Sequence, residues 1–396
     1  MKWEVSTIGE HCTVTSSKRF HLSDRSESGV PFYCSKEIIQ KVKGEEVAEC
    51  DYIKEEFYES VKKQFGVPQC GDLLITTRGT YGIPYIYKDS DRFYFADGNL
   101  TWLKDFDKNL NVNYLYYWIL SHEGQKKIDA IAKGTAQKAV PIASIKLLQF
   151  PLPPVDVQKR IADILSAYDE LIDNNQKQIK LLEEAAQRLY KEWFIDLRFP
   201  GHETTPIYDG VPEGWEKKTL GDIAGIVMGQ SPKSEYYNTE NQGLPFHQGV
   251  GSYGNRFVVD DVYSTSYTRI ADSGSILFSV RAPVGRLNIT RNKIVVGRGI
   301  AALNHKEGLQ SLLFYMLKER FFKDNLVGNG SIFASISKDE LFGQLFVVPV
   351  SSIACQYDEI ASTIDKKIEA VDDEIIKLTE ARDRLLPKLM SGEIEV

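Results

Sequence analysis

Between residues 157 and 194, core-type side chains recur in steps of four and three. The positions are Ile161, Leu165, Tyr168, Ile172, Asn175, Ile179, Leu182, Ala186, Leu189 and Trp193. That alternation is the heptad seam of a helix burying one narrow stripe against a partner helix. Residues 353–390 carry a second seam: Tyr357, Ala361, Ile364, Ile368, Val371, Ile375, Leu378, Arg382, Leu385 and Leu389. At 1.5 Å per residue each helix spans about 50 Å. A lone helix of that length leaves its stripe uncovered, whereas two in one chain can cover each other. The alternative is that each packs on its own globular neighbour. Asn175 and Arg382 interrupt the seams, and such polar residues lower stability while restricting register.

The two helices are copies. A shift of 196 residues lays 150–189 on 346–385 without a gap, with twelve of forty positions identical, among them Asp169/Asp365, Ile172/Ile368 and Arg188/Arg384. Segments before the helices repeat too. Thr7-Ile8-Gly9-Glu10 lies over Thr219-Leu220-Gly221-Asp222, and Gly71 to Arg78 over Gly274 to Arg281. Their offsets drift, as loops of different length require. Pro151, Pro153, Pro154 and Pro349 stand before the helices, where a residue without an N–H suits a stop. The expected division is 1–150 globular, 151–203 first helix and linker, 204–347 globular, and 348–396 second helix.

Both globular segments are rich in aromatic and β-branched residues punctuated by Gly and Pro. Tyr85-Ile86-Tyr87 and Ile294-Val295-Val296 predict strands, and 112–131 and 308–325 predict helices. The expected fold class is α+β, two mixed globular domains alternating with two long helices.

Net charge is −7, which alone argues against a nucleic-acid binder. The acidity is local, however. Residues 155–196 hold nine acidic against six basic side chains and 353–396 hold eleven against six, leaving the globular segments near neutral. Residues 256–298 form a basic stretch. Two repeated loops, Thr76 to Gly82 and Ser279 to Gly285, each follow a strand-like run. Their small residues let backbone approach a phosphate, and their arginines suit guanine. The candidate DNA contacts are therefore Thr76, Thr77, Arg78, Thr80, Tyr81, Lys133, Thr135, Gln137, Lys138, Arg256, Ser279, Arg281, Arg286, Arg298, Asn329 and Ser331.

Catalytic signatures are missing. There is no GxxxxGK[ST] loop, no [DN]PP[FY] and no convincing nuclease arrangement of carboxylates and lysine. Five cysteines and six histidines show no metal-ligand spacing. Gly249-Val250-Gly251-Ser252-Tyr253-Gly254 fits GxGxxG, but no clear strand leads in, and Asn255 to Val259 reads as a strand where a dinucleotide site needs a helix. No apolar run is long enough to span a bilayer and the first residues lack a signal-peptide stretch, so the expected location is the cytoplasm.

The layout resembles the specificity subunits of type I restriction-modification enzymes. The resemblance rests on Pro151-Leu152-Pro153-Pro154 with Gln158 and Ile161, Leu189 to Asp196, Gly210 to Glu216, and Leu385 to Glu393. The second copy departs by lacking the double proline. The resemblance implies that residues 1–150 and 204–347 are target-recognition domains, each reading one half of a split site in double-stranded DNA. It implies that the helices pair as an antiparallel coiled coil that fixes their separation, through Ile161, Leu165, Tyr168, Ile172, Ile179, Leu182, Leu189, Tyr357, Ile364, Ile368, Val371, Ile375, Leu378 and Leu385. Two methyltransferase subunits would dock on the helices, and restriction (motor) subunits would join them. This chain would carry no cofactor and no catalytic residue; S-adenosylmethionine, ATP and Mg would sit on the partners. Two other readings are a coiled-coil scaffold that never touches DNA and a self-contained dinucleotide-dependent enzyme.

Overall fold

The computed structural model describes residues 3–21, 24–134, 138–321 and 335–396. The chain divides into two compact units, residues 1–176 with 373–396 and residues 177–372. Each unit joins one globular segment to part of both long helices, so its boundaries fall inside the helices rather than at their ends.

The first long helix runs Val155–Tyr190 and ends in a π-helical turn, Lys191–Ile195; the second runs Ser351–Ser391. All twenty seam positions are buried or half-buried. In the first unit Ile161 and Leu165 share one apolar cluster with Leu389 and Met390, and Arg382 bonds Asp169 at 2.6 Å. In the second unit the Tyr357 hydroxyl donates to the Ala186 carbonyl at 3.0 Å. Its ring meets those of Tyr190 and Phe194 at 5.7 and 5.1 Å. A large aromatic buried this way stabilises by roughly 1.5–3 kcal/mol.

The two globular segments are built alike. In the first, one four-stranded sheet runs in the order Thr13–Thr15, Leu100–Lys104, Leu73–Thr76, Pro84–Ile86. Its counterpart in the second unit runs Ala224–Met228, Ile300–His305, Ile276–Ser279, Leu287–Ile289. Each segment opens with a strand that pairs antiparallel with the strand leading into the long helix: Glu4 faces Leu152 in the first and Glu216 faces Val348 in the second. A second sheet in each holds one parallel pair, Phe32 with Tyr94 and Phe246 with Val295.

The repeated sequence motifs have physical causes. Thr7 and Thr219 begin the short helices Ile8–His11 and Leu220–Ile223. The backbone N–H of each donates to an acid three residues on, Thr7 to Glu10 and Thr219 to Asp222, both at 3.0 Å. This is the capping box that a Thr-x-x-acid spacing encodes. Gly9 repeats as Gly221 because the chain passes close there: a Cβ on Gly9 would lie 2.9 Å from the Lys146 carbonyl, and one on Gly221 3.1 Å from the Phe342 ring.

Two expectations are corrected. The helix over 112–131 is two helices, Val112–Leu120 and His122–Ile131. Ser121 breaks it by accepting the Gly124 N–H at 3.1 Å, and Gly124 packs so tightly that a Cβ would lie 2.1 Å from the Trp118 carbonyl. Asn255 to Val259 forms no strand; Tyr253–Val258 and Phe257–Ile289 are isolated bridges.

Candidate nucleic-acid interface

The loops that the repeat singled out share one hydrogen-bond framework. In the first unit the Thr76 carbonyl accepts the Gly82 N–H at 2.8 Å, and its hydroxyl accepts the Ile83 N–H at 3.0 Å. Thr77 donates to the Asn99 carbonyl at 2.7 Å and accepts from Val140 at 2.9 Å. In the second unit the Ser279 carbonyl accepts the Gly285 N–H at 3.0 Å, and its hydroxyl accepts the Arg286 N–H at 2.8 Å. Val280 donates to Gly299 and accepts from Ile336, both at 2.9 Å. Buried hydroxyls thus hold both loops from beneath, and Arg78 and Arg281 stand exposed at the same point of each.

That geometry sorts the candidates. Arg78, Thr80, Lys133, Lys138, Arg281, Arg286 and Arg298 are exposed. Lys133 and Lys138 flank a closure in which Lys133 and Ala139 exchange both backbone hydrogen bonds at 2.8 Å, and Ala139 also bridges Arg78. The loop arginine and the two lysines therefore lie close together. Tyr81 is half-buried; its hydroxyl donates to Asp129 at 2.5 Å, and that bond raises its pKa. Thr76, Thr77 and Ser279 are not displayed as expected. They are buried to within 2%, and their role is to support the loop. Thr135, Gln137, Asn329 and Ser331 lie outside the described residues.

Arg256 is a clear correction. It is 2% exposed, so it does not face a duplex. Its guanidinium bonds Asp365 on the second helix at 2.6 Å and Glu183 on the first at 3.1 Å. It also stacks 3.6 Å from the centre of the Phe314 ring. Burial opposes its charge, but Asp365, Tyr315 and Glu183 more than offset this and raise its pKa. A basic residue in a basic stretch looks like a DNA contact in the sequence; only burial reveals it as a tie between the globular segment and both helices.

The same corner occurs in each half and was missed. The Tyr117 hydroxyl donates to Asp169 at 2.6 Å, and the Tyr315 hydroxyl to Asp365 at 2.7 Å. Asp169 and Asp365 are repeat equivalents. Each aspartate also holds a guanidinium, from Arg382 in the first unit and from Arg256 in the second. The repeat places Ala186 where the other copy has Arg382, so the first helix supplies no arginine there and the loop supplies Arg256. The identity Asp169/Asp365 was the available sequence signal.

The GxGxxG stretch also departs from expectation in part. A strand, Leu244–His247, does lead into it, but a single 3-10 turn, Val250–Ser252, follows instead of a helix. The helix N-terminus that would hold a pyrophosphate is therefore lacking. His247, fully buried, fixes the loop by bonding the Ser252 hydroxyl and the Asp260 carboxylate, each at 2.8 Å. Among the described residues no group of three His, Cys, Asp or Glu could hold a metal, and no helix is long and apolar enough to cross a membrane.

Known proteins share this construction. The family of type I restriction modification DNA specificity domains matches residues 1–184 and again 212–381. A chain assigned as the MjaX type I restriction enzyme specificity subunit of Methanocaldococcus jannaschii is 33% identical over 343 residues, covering 82% of this chain and 79% of that one. The MjaIX specificity subunit of the same organism is 28% identical over 304 residues, 72% and 69% of the two chains. The crystal structure of a type I restriction-modification S subunit from M. genitalium has the same fold, with a TM-score of 0.58 and 18% identity over 98% of this chain and 96% of that one. The chain, with two copies of that domain, belongs to the type I restriction-modification DNA specificity family.

Proposed function

We propose that this specificity subunit reads a bipartite target in double-stranded DNA, one half-site with each of residues 1–150 and 204–347. The observation that carries this reading is the duplicated loop framework, which exhibits Arg78 and Arg281 at matching points over buried hydroxyls. Arg78, Thr80, Tyr81, Lys133 and Lys138 form the contact set of the first domain, and Arg281, Arg286 and Arg298 that of the second. Arginine forks suit guanine edges and phosphates, and the lysines suit phosphates.

The long helices pair antiparallel along their seams and separate the two readers. Support comes from the order of contacts. In the first unit Ile161 clusters with Leu389 while the later Asp169 bonds the earlier Arg382. In the second, Glu183 and Asp365 share Arg256, while the later Ala186 meets the earlier Tyr357. The acidic outer faces suit protein partners, since like-charged DNA is repelled. Two methyltransferase subunits dock there, bring S-adenosylmethionine and flip the target adenine; restriction subunits bring ATP and Mg, and the complex works in the cytoplasm. The specificity subunit is itself non-catalytic.

The test is to map methylated adenines after this chain is combined with its methyltransferase partner. A split consensus is expected. Methylation without sequence preference, or no salt-dependent DNA binding by the complex, would refute the reading.

A further inference from the structure

The second recognition domain carries a recess beside its arginine loop. It measures about 240 Å³ and is lined by Gln248, Gly249, Val250, Arg281, Arg298 and Gly299, with the buried Ser279 and the exposed Ala282 completing it. Its walls come from three stretches. The strand Leu244–His247 delivers Gln248. The loop after Ser279 delivers Arg281. The turn 297–299, just before strand Ile300–His305, delivers Arg298.

The close passage of two of these stretches is built in. The Gly297 N–H donates to the His247 carbonyl at 2.7 Å, and the Gly299 N–H to the Gln248 carbonyl at 3.0 Å. A Cβ on Gly299 would lie 2.2 Å from that carbonyl, and one on Gly297 2.7 Å from the Gln248 Cα. Only glycine fits at either place, so Gln248 and Arg298 are held on facing walls. The Arg298 N–H is itself anchored on the Ser231 hydroxyl at 3.1 Å.

Arg281 and Arg298 form no ion pair among the described residues, whereas nearby Arg256 and Arg291 are tied to carboxylates. Among the described residues no acidic side chain and no lysine lines the recess. Two planar guanidinium forks and an amide can pair with the N7/O6 edge of a purine; the same forks also fit a phosphate, and the two contacts differ in that only the base contact depends on sequence. The first domain offers a contrast. By the matching hydrogen bonds of Thr77 to Asn99 and of Ala96 to Tyr33, the equivalents of Gln248 and Gly299 are Cys34 and Asn99, and the pair Asp97-Gly98 stands where the second domain has the single residue Arg298. That corner keeps the loop arginine, Arg78, and loses the second one.

We infer that this recess is a guanine-reading subsite of the second recognition domain, with Arg298 and Arg281 as its forks and Gln248 as a further hydrogen-bonding wall. The inference rests on the DNA-reading function proposed above and adds which base is read, by which domain, and through which residues. Arg298 is the element that makes the two half-sites differ.

The experiment uses the complex of this chain with its methyltransferase partner. A randomised duplex library is methylated by the wild type, Arg298→Met and Arg298→Lys, and the modified products are sequenced. In Arg298→Met the preference for guanine at one position of one half-site falls by about five- to hundredfold, the range for one bidentate base contact, and the other half-site is unchanged. Arg298→Lys keeps the charge but not the fork, so it relaxes the same position while keeping most affinity; this also covers the case in which the methionine variant fails to fold. An unchanged guanine preference in the lysine variant overturns the inference. So does a uniform loss across all sequences with a salt slope reduced by about one, the mark of a phosphate contact. Loss of all sequence preference in the wild type would instead overturn the underlying function.

Discussion

Replacing Arg256 by methionine removes a charge from one of the most enclosed polar contacts in the second unit. The side chain of Arg256 is 2% exposed and those of Glu183 and Asp365 are 21% and 20% exposed. Breaking a buried ion pair by deleting one partner costs about 3–5 kcal/mol. Here the survivors keep other partners: Lys318 bonds Glu183 at 3.2 Å, and the hydroxyls of Ser311 and Tyr315 bond Asp365 at 2.6 and 2.7 Å. Methionine also retains part of the packing on Phe314. The expected loss is therefore near the lower end, about 3 kcal/mol. For a unit of this size that lowers the melting temperature by about 6–12 °C. Differential scanning calorimetry of the full chain should show this in one transition while the other stays in place. Adding Asp365→Asn removes the carboxylate charge left without its guanidinium, so the double variant should fall short of additivity by about 1–3 kcal/mol. A loss under about 1 kcal/mol, or strict additivity, would show that Arg256 is not the tie described here.

Four further outcomes can be measured. Tyr117→Phe and Tyr315→Phe each remove a hydroxyl bonded to a carboxylate, and each should cost about 1.5–3 kcal/mol in denaturant titration; neutrality of both would deny the duplicated corner a structural role. Burial works against the charge of Asp260, but hydrogen bonds from His247 and Asn292 hold its carboxyl below the usual range. A depressed carboxyl adds stability above about pH 4 and loses it as the pH falls through the lowered value, so Asp260→Asn should flatten the acid side of the stability profile, and an unaltered acid limb would contradict this. Gly299→Ala pushes a Cβ into the Gln248 carbonyl and should lower stability by about 1–3 kcal/mol, with weaker half-site binding in a mobility shift; full retention of both would refute the close passage. Removing one heptad from each long helix shortens them by about 10 Å, or about three base pairs, and methylation mapping should report a shorter unread spacer, whereas an identical spacer would reject the ruler role.

What the sequence disclosed depended on whether a property is periodic. The seams were legible position by position, because a helix that buries one stripe repeats its apolar residues in steps of four and three. The loops at Thr76 and Ser279 were legible because the chain states them twice. Side-chain direction was not. Thr76, Thr77 and Ser279 looked like donors for DNA, yet the hydroxyls of Thr76 and Ser279 satisfy a neighbouring loop N–H and that of Thr77 donates to the Gly98 carbonyl. Arg256 counted toward a basic surface, yet the carboxylates that neutralise it lie 73 and 109 residues away in the chain. The split of the helix at Ser121 was signalled by a Ser-x-x-Gly spacing that a purely apolar reading passes over. Gln248 went unnoticed because its partners in the recess are 33 and 50 residues further on, brought together by glycines that have no side-chain pattern of their own.

The two sources of the corner guanidinium bear on how the globular segments can be exchanged. In the first unit the cation comes from the second long helix, as Arg382, so a foreign domain grafted in place of residues 1–150 needs only a tyrosine at the position of Tyr117 to complete the corner with Asp169. In the second unit the cation travels with the domain. A graft replacing residues 204–347 takes Arg256 away and leaves Glu183 and Asp365 uncovered at the helix surface. The first globular segment thus borrows its corner cation from the second helix, and the second brings its own.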